Sequence, residues 1–133
     1  MEKLSSTVHL AIGVVLLTGS GAAVGGSTTL EGQSSEPRVI EVLARRFAFE
    51  PALIEAVPGE RLKLIVRSAD GPHGFEVKQF KIGKEIPRGG APVEIEFTAG
   101  VEGTFPILCS VYCGNGHDDM KGALVVKARE ATP

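Results

Sequence analysis

The chain has 133 residues, enough for one ordinary domain and little more. Its composition is globular, with 43% hydrophobic and 23% charged residues. The net charge of −2 lacks the basic excess that a nucleic-acid partner calls for, so none is expected.

Residues 8–26 carry no charge, and residues 10–17 are the densest apolar run. The segment approaches the length of about 20 residues that a helix needs to cross a bilayer core. Small residues such as Ala22 and Ala23 equally fit a cleavage point. Residues 1–26 are therefore read as a signal peptide or a membrane anchor. Either one places the remainder of the chain outside the cytoplasm. Residues 27–36 are rich in Gly, Ser and Thr, bury little apolar surface, and read as a flexible linker. A folded domain is expected over 37–133.

Beyond the linker the pattern is short strands between turn residues. Residues 38–44 alternate apolar and polar, and residues 47–49 read as continuing an extended segment up to Pro51. Residues 53–57 stop at the turn signal Pro58-Gly59. Leu62, Leu64 and Val66 alternate with Arg61, Lys63 and Ile65. Asp70-Gly71-Pro72 breaks the chain, and Phe75 and Val77 fit the next strand. Val93, Ile95 and Phe97 alternate with Glu94 and Glu96; residues 104–108 lead into Cys109, and residues 124–127 close the domain. No amphipathic helix is visible after the linker. Many short strands with Gly and Pro turns predict an all-β sandwich or barrel.

The chemistry is concentrated in residues 109–120, C-S-V-Y-C-G-N-G-H-D-D-M. Both cysteines are there, Cys109 and Cys113. Of three histidines, His9 lies in the export segment, which leaves His73 and His117. Met120 is the one methionine besides the initiator. Thiolate, imidazole and thioether together select copper, zinc or iron–sulfur chemistry. Structural zinc prefers four Cys or His ligands, and iron–sulfur clusters want four thiolates. A blue-copper site takes two His, one Cys and a weak Met, so one thiolate is left over here. A disulfide between cysteines so close would add little chain-entropy stabilisation. Gly114 and Gly116 are expected to permit positive φ in the loop that returns these donors.

These residues resemble the CuA-binding domain of cytochrome c oxidase subunit II, a cupredoxin-type family with the pattern C-S-x-x-C-G-x-x-H-x-x-M. Cys109, Ser110, Cys113, Gly114, His117 and Met120 match it. The upstream element D-x-x-H-x-F matches Asp70, His73 and Phe75. The resemblance covers residues 47–127 and implies a cupredoxin-like antiparallel Greek-key β-sandwich. It implies two copper ions bridged by Cys109 and Cys113, with His73 on one ion and His117 on the other. Met120 and the backbone carbonyl of Val111 would be the weak ligands. It also implies electron transfer without catalysis by this chain alone. Cytochrome c or another small redox protein would be the donor, and subunit I of a haem–copper oxidase the acceptor, at the outer face of a membrane or in a periplasm.

The chain departs from the family in three ways. Val111 stands where many subunit II sequences have a glutamate that reaches a further metal beside subunit I, so that metal is not expected. The chain has no Trp, whereas family members often carry a Trp-rich electron-delivery stretch; Tyr112 and Phe75 are the candidates to cover the site instead. At most one membrane helix precedes the domain, as in smaller bacterial variants. A free-standing periplasmic cupredoxin electron carrier or copper-binding protein is the alternative reading. A copper chaperone of the thioredoxin fold would need helices that the sequence lacks. Nitrous oxide reductase shares the ligand spacing but carries a large catalytic propeller. Asp70 is read as a turn residue, Asp118 and Asp119 as solvated loop residues, and Lys78, Lys81, Lys84 and Arg88 as a solvated basic edge.

Overall fold

The computed structural model describes residues 36–130. The expected signal peptide or anchor (1–26) and residues 27–35 of the expected linker lie outside the described residues, as do 131–133. Among the described residues, no helix is long and apolar enough to cross a membrane.

The strands are β1 (Arg38–Arg45), β2 (Ala48–Glu50), β3 (Leu53–Ala56), β4 (Glu60–Ser68), β5 (His73–Val77), β6 (Ile82–Ile86), β7 (Val93–Ala99), β8 (Gly103–Leu108) and β9 (Lys121–Val126). Two single 3₁₀ turns, Lys78–Phe80 and His117–Asp119, are the helical pieces among the described residues. One sheet has the order β2-β1-β4-β7 and the other β3-β9-β8-β5-β6. The alternation read from the sequence sets the inner faces. Val42 and Ala44 of β1, Leu62, Leu64 and Val66 of β4, and Ile95 and Ala99 of β7 are buried. Opposite them, Phe75, Val77, Ile107, Leu124 and Val126 fill the second layer. Each large apolar side chain so buried stabilises the fold by about 1.5–3 kcal/mol relative to its exposed state. The basic run Lys78, Lys81, Lys84 and Arg88 is exposed around the edge strand β6, as expected.

Two expectations are corrected. The sandwich is not wholly antiparallel: β1 runs parallel to β4, and β3 parallel to β9. Alternation specifies which face is buried but not strand direction. The β2–β3 segment passes from one sheet to the other, and this crossover lets β4 return alongside β1 in the same direction. Residues 47–49 also do not prolong β1. The chain reverses at Arg46-Phe47, and β2 folds back with Arg45 opposite Ala48 and Ala44 opposite Phe49. No Gly, Asn or Pro marks this turn, so turn chemistry gave no signal. The turn carries Arg46 and Phe47 to the end of the sandwich where the donor residues gather.

Candidate metal centre

His73 opens β5, and Cys109 comes directly after β8. These strands are neighbours in one sheet, so the topology brings the upstream histidine to the start of the late loop. The loop 109–120 then returns to β9 through the 3₁₀ turn His117–Asp119, closed by Met120 N–H donating to the His117 carbonyl. Close packing fixes the loop against β5. A Cβ at Gly74 would lie 2.1 Å from Ser110 Oγ, 2.5 Å from Ser110 N and 2.6 Å from Val111 N. The Gly74 N–H points at Cys109 Sγ at 3.4 Å.

The donor atoms converge. Cys109 Sγ and Cys113 Sγ are 3.7 Å apart. A disulfide holds its sulfurs at about 2.05 Å, so these are two free thiols. His73 Nδ1 lies 3.9 Å from Cys109 Sγ, and His117 Nδ1 lies 3.8 Å from Cys113 Sγ. Met120 Sδ is 3.8 Å from Cys113 Sγ, and the Val111 carbonyl oxygen is 3.2 Å from Cys109 Sγ. The ligand atoms of His73, Cys109 and Cys113 all fall within 4.8 Å of one another. His73, Cys109, Cys113 and Met120 are buried, and His117 is half-buried at the rim. All six sequence-predicted residues are thus brought to one place. Soft sulfur donors beside imidazole nitrogens form the donor chemistry that copper prefers.

A second layer of contacts orients the donors. Asp70 Oδ1 lies 2.8 Å from His73 Nε2, and Asp70 Oδ2 accepts the Arg46 backbone N–H at 2.8 Å. Asp70 is therefore more than the turn residue expected. A carboxylate on Nε2 fixes that nitrogen as the donor and leaves the Nδ1 lone pair facing Cys109. Burial works to raise the Asp70 carboxyl, but the Arg46 backbone N–H and the His73 ring outweigh it and hold the group below its ordinary value. Burial first, and then the adjoining Cys109 sulfur, push the Cys113 thiol up to about 11. Without an ion, Cys113 is thus protonated at neutral pH.

The covering residues also differ from expectation. Phe75 is buried in the core, edge-on to Phe49 with ring centroids 5.5 Å apart. Tyr112 is 70% exposed, with its ring 5.7 Å from that of His117. The ring lying on the ligand loop is Phe47, 39% exposed. Gly114 has the expected positive φ of 135°, but Gly116 has φ −100°. Gly116 is needed for another reason, since a Cβ there would meet the Phe47 ring at 2.4 Å. Sequence reasoning missed Arg46, Phe47 and Gly74 as site residues. Only the His-Gly-Phe step offered a signal, a glycine in a strand marking close backbone approach.

Comparison with known proteins agrees with this geometry. The family model of the cupredoxin-like domain matches residues 9–126. Cytochrome c oxidase subunit 2 from Thermus thermophilus is 35% identical over 88 residues, which is 66% of this chain and 64% of that protein. The chain therefore spans less than two thirds of that curated relative. The periplasmic domain of subunit II of cytochrome oxidase from Bradyrhizobium japonicum aligns with a TM-score of 0.60 at 19% identity, covering 67% of this chain and 83% of that one. Auracyanin A, a blue copper protein from Chloroflexus aurantiacus, aligns with a TM-score of 0.54 at 20% identity, covering 69% of this chain and 100% of that one. A shared fold at such identities does not count the metal ions. The donor set must do that.

Proposed function

The chain belongs to the cupredoxin-like domain family, and from that premise we propose that it relays single electrons through a CuA-type copper centre. Its proposed place is that of a subunit II-like chain through which electrons enter a haem–copper oxidase. One observation carries the reading. The two unbridged sulfurs stand 3.7 Å apart, each with its own imidazole Nδ1 at 3.9 or 3.8 Å. Metal–thiolate bonds are about 2.3 Å long for zinc, and twice that exceeds the sulfur separation. An ion bonded to both sulfurs at such a length would stand off the line between them, which would leave the opposite side for a second. One thiolate more than a blue-copper site uses is then accounted for.

In this reading Cys109 and Cys113 would supply thiolates to both ions, His73 and His117 would each hold one ion, and Met120 Sδ and the Val111 carbonyl would be weak ligands. The copper pair, when bound, supplies a one-electron couple whose charge is shared between two ions. The protein's own part is to hold the donors still. Asp70 fixes the His73 ring, and Gly74 seats the loop on β5. Residues 37–133 form the copper domain, and residues 1–26 its export or anchoring segment. Similarity to a periplasmic subunit II domain supports an extracytoplasmic location, with subunit I as acceptor and a small redox protein such as cytochrome c as donor. Oxygen chemistry belongs to another subunit.

Electron paramagnetic resonance with copper quantitation on the copper-loaded full chain tests this. A seven-line hyperfine pattern with two coppers per chain is expected. A four-line pattern with one copper would replace the reading with a mononuclear carrier. A protein that takes up no copper would end both.

A further inference from the structure

Arg46 stands at the reversal between β1 and β2, far in sequence from the ligand loop, yet it touches both halves of the site. Its Nε donates to the Cys113 carbonyl at 2.7 Å. Its backbone N–H donates to Asp70 Oδ2 at 2.8 Å, and the other Asp70 oxygen holds His73 Nε2 at 2.8 Å. One residue thus ties the Cys113 loop to the His73 turn. The guanidinium lies along Gly71, where a Cβ would come within 2.9 Å of an Arg46 terminal nitrogen. Side chain and glycine fit each other, so this position is specified by packing as well as by one hydrogen bond.

A fixed guanidinium on the carbonyl of a sulfur ligand has an electrostatic consequence. Arginine stays charged at every accessible pH. Adding an electron to the adjoining centre makes it more negative, and a nearby positive charge favours that state. The hydrogen bond draws electron density from the Cys113 peptide in the same sense. Hydrogen bonds and charges around a sulfur ligand are among the levers that tune a copper potential. Other charged groups at this end work against it: Asp70, ionised and bonded to the Arg46 N–H, and the exposed Asp118 and Asp119.

We propose that Arg46 is a positioning residue that holds the Cys113 loop in register with His73 and sets the reduction potential of the bound copper upward. The inference rests on the proposed copper centre. The two functions of the residue separate by substitution, because every replacement except proline keeps the backbone N–H to Asp70 while changing the side chain.

The test is spectroelectrochemical titration of the copper-loaded full chain, alongside copper quantitation and thermal denaturation of the metal-free form. Arg46→Met is expected to keep its copper and lower the potential, so that the reduced-to-oxidised ratio at fixed ambient potential falls about threefold for a partly screened charge at this range. Arg46→Lys keeps the charge but loses the planar Nε contact, and is expected to fall between Arg46→Met and the wild type. Gly71→Ala keeps Arg46 and displaces its guanidinium, and is expected to shift the potential downward as well. Unchanged potential in Arg46→Met at full copper content would overturn the role of Arg46 and leave the copper reading intact. A wild-type chain that binds no copper would instead remove the premise, and the two failures are distinct. A metal-free Arg46→Met protein that no longer melts cooperatively shifts the decision to Gly71→Ala, whose unchanged potential would overturn the proposal equally.

Discussion

Asp70 Oδ1 sits 2.8 Å from His73 Nε2 and thereby turns His73 Nδ1 toward Cys109 Sγ, 3.9 Å away. His73 is the one buried polar side chain among the described residues, so its orientation has no solvent to fall back on. Asp70→Asn removes the charge and leaves an amide that can present either end to the ring. Loss of such a partner commonly lowers metal affinity about 10–100-fold. The expected result is weaker copper retention against a competing chelator, with the metal-free protein still folded. Equal retention by the variant and the wild type would mean that ring packing alone orients His73.

Gly74 gives a steric prediction. A Cβ there meets backbone as well as side chain, with Ser110 N at 2.5 Å and Val111 N at 2.6 Å. Rotamer changes cannot relieve a clash with backbone, so the ligand loop must lift from β5. Gly74→Ala is expected to destabilise the metal-free protein by about 1–3 kcal/mol or more and to abolish normal copper binding. Gly83→Ala is the control, because a Cβ at Gly83 meets nothing within 4 Å. Chemical denaturation with copper titration compares the two. Similar behaviour of both variants would contradict the packing described.

The strands and the cluster of donor residues were legible because each leaves a local mark. Leu62, Leu64 and Val66 alternate, and the Cys109, Cys113, His117 and Met120 spacing is contained in one loop. The parallel pairing of β1 with β4 left no mark, since alternation is the same in either direction. Phe47 read as part of an extended segment and Arg46 was given no role, because nothing in their chemistry announces a turn. Their place beside Cys113, Gly114 and Gly116 comes from tertiary folding alone. Gly116 shows the limit from the other side: the residue was rightly singled out, but for a backbone conformation it does not adopt.

Met120 separates holding from tuning. Its Sδ lies 3.8 Å from Cys113 Sγ, and the side chain is buried to within 1%. Met120→Leu keeps the volume and removes the sulfur, a change that cores tolerate at a cost below about 1.5 kcal/mol. Copper content is expected to stay at the wild-type level while the reduction potential shifts, because a weak axial ligand adjusts the couple more than it retains the ion. An unchanged potential would assign Met120 to packing alone.

Glu60 links the fold to pH away from the metal. It pairs with Arg38 at 2.6 Å and accepts the Val57 backbone N–H at 2.9 Å, closing the turn into β4. The Arg38 hydrogen bond, opposed by burial and helped by the Val57 N–H, holds its carboxyl below the ordinary value. A depressed folded-state value means the stabilisation is present above the unfolded-state value and is lost as pH falls through the folded-state value. Glu60→Gln is expected to cost about 0.5–1 kcal/mol near neutral pH, Arg38 being half exposed. The gap between the variant and the wild type in thermal denaturation should close in acid. A gap that persists there would mean the carboxylate charge is not what stabilises the turn.

Cys113 couples copper uptake to pH. Its thiol is pushed up to about 11 by burial and the neighbouring Cys109 sulfur, so the metal-free protein carries that proton throughout the neutral range. The thiolate is the metal ligand, and binding must therefore release the proton. Each proton released raises the apparent affinity about tenfold per pH unit for as long as the free thiol stays protonated. Competition titrations between about pH 6 and about pH 8 are expected to show affinity rising by at least that slope with no plateau. In Cys113→Ser the slope should fall by one proton. A flat profile in the wild type would mean that Cys113 keeps its proton and does not bind the ion through a thiolate, which would undo the bridging assignment.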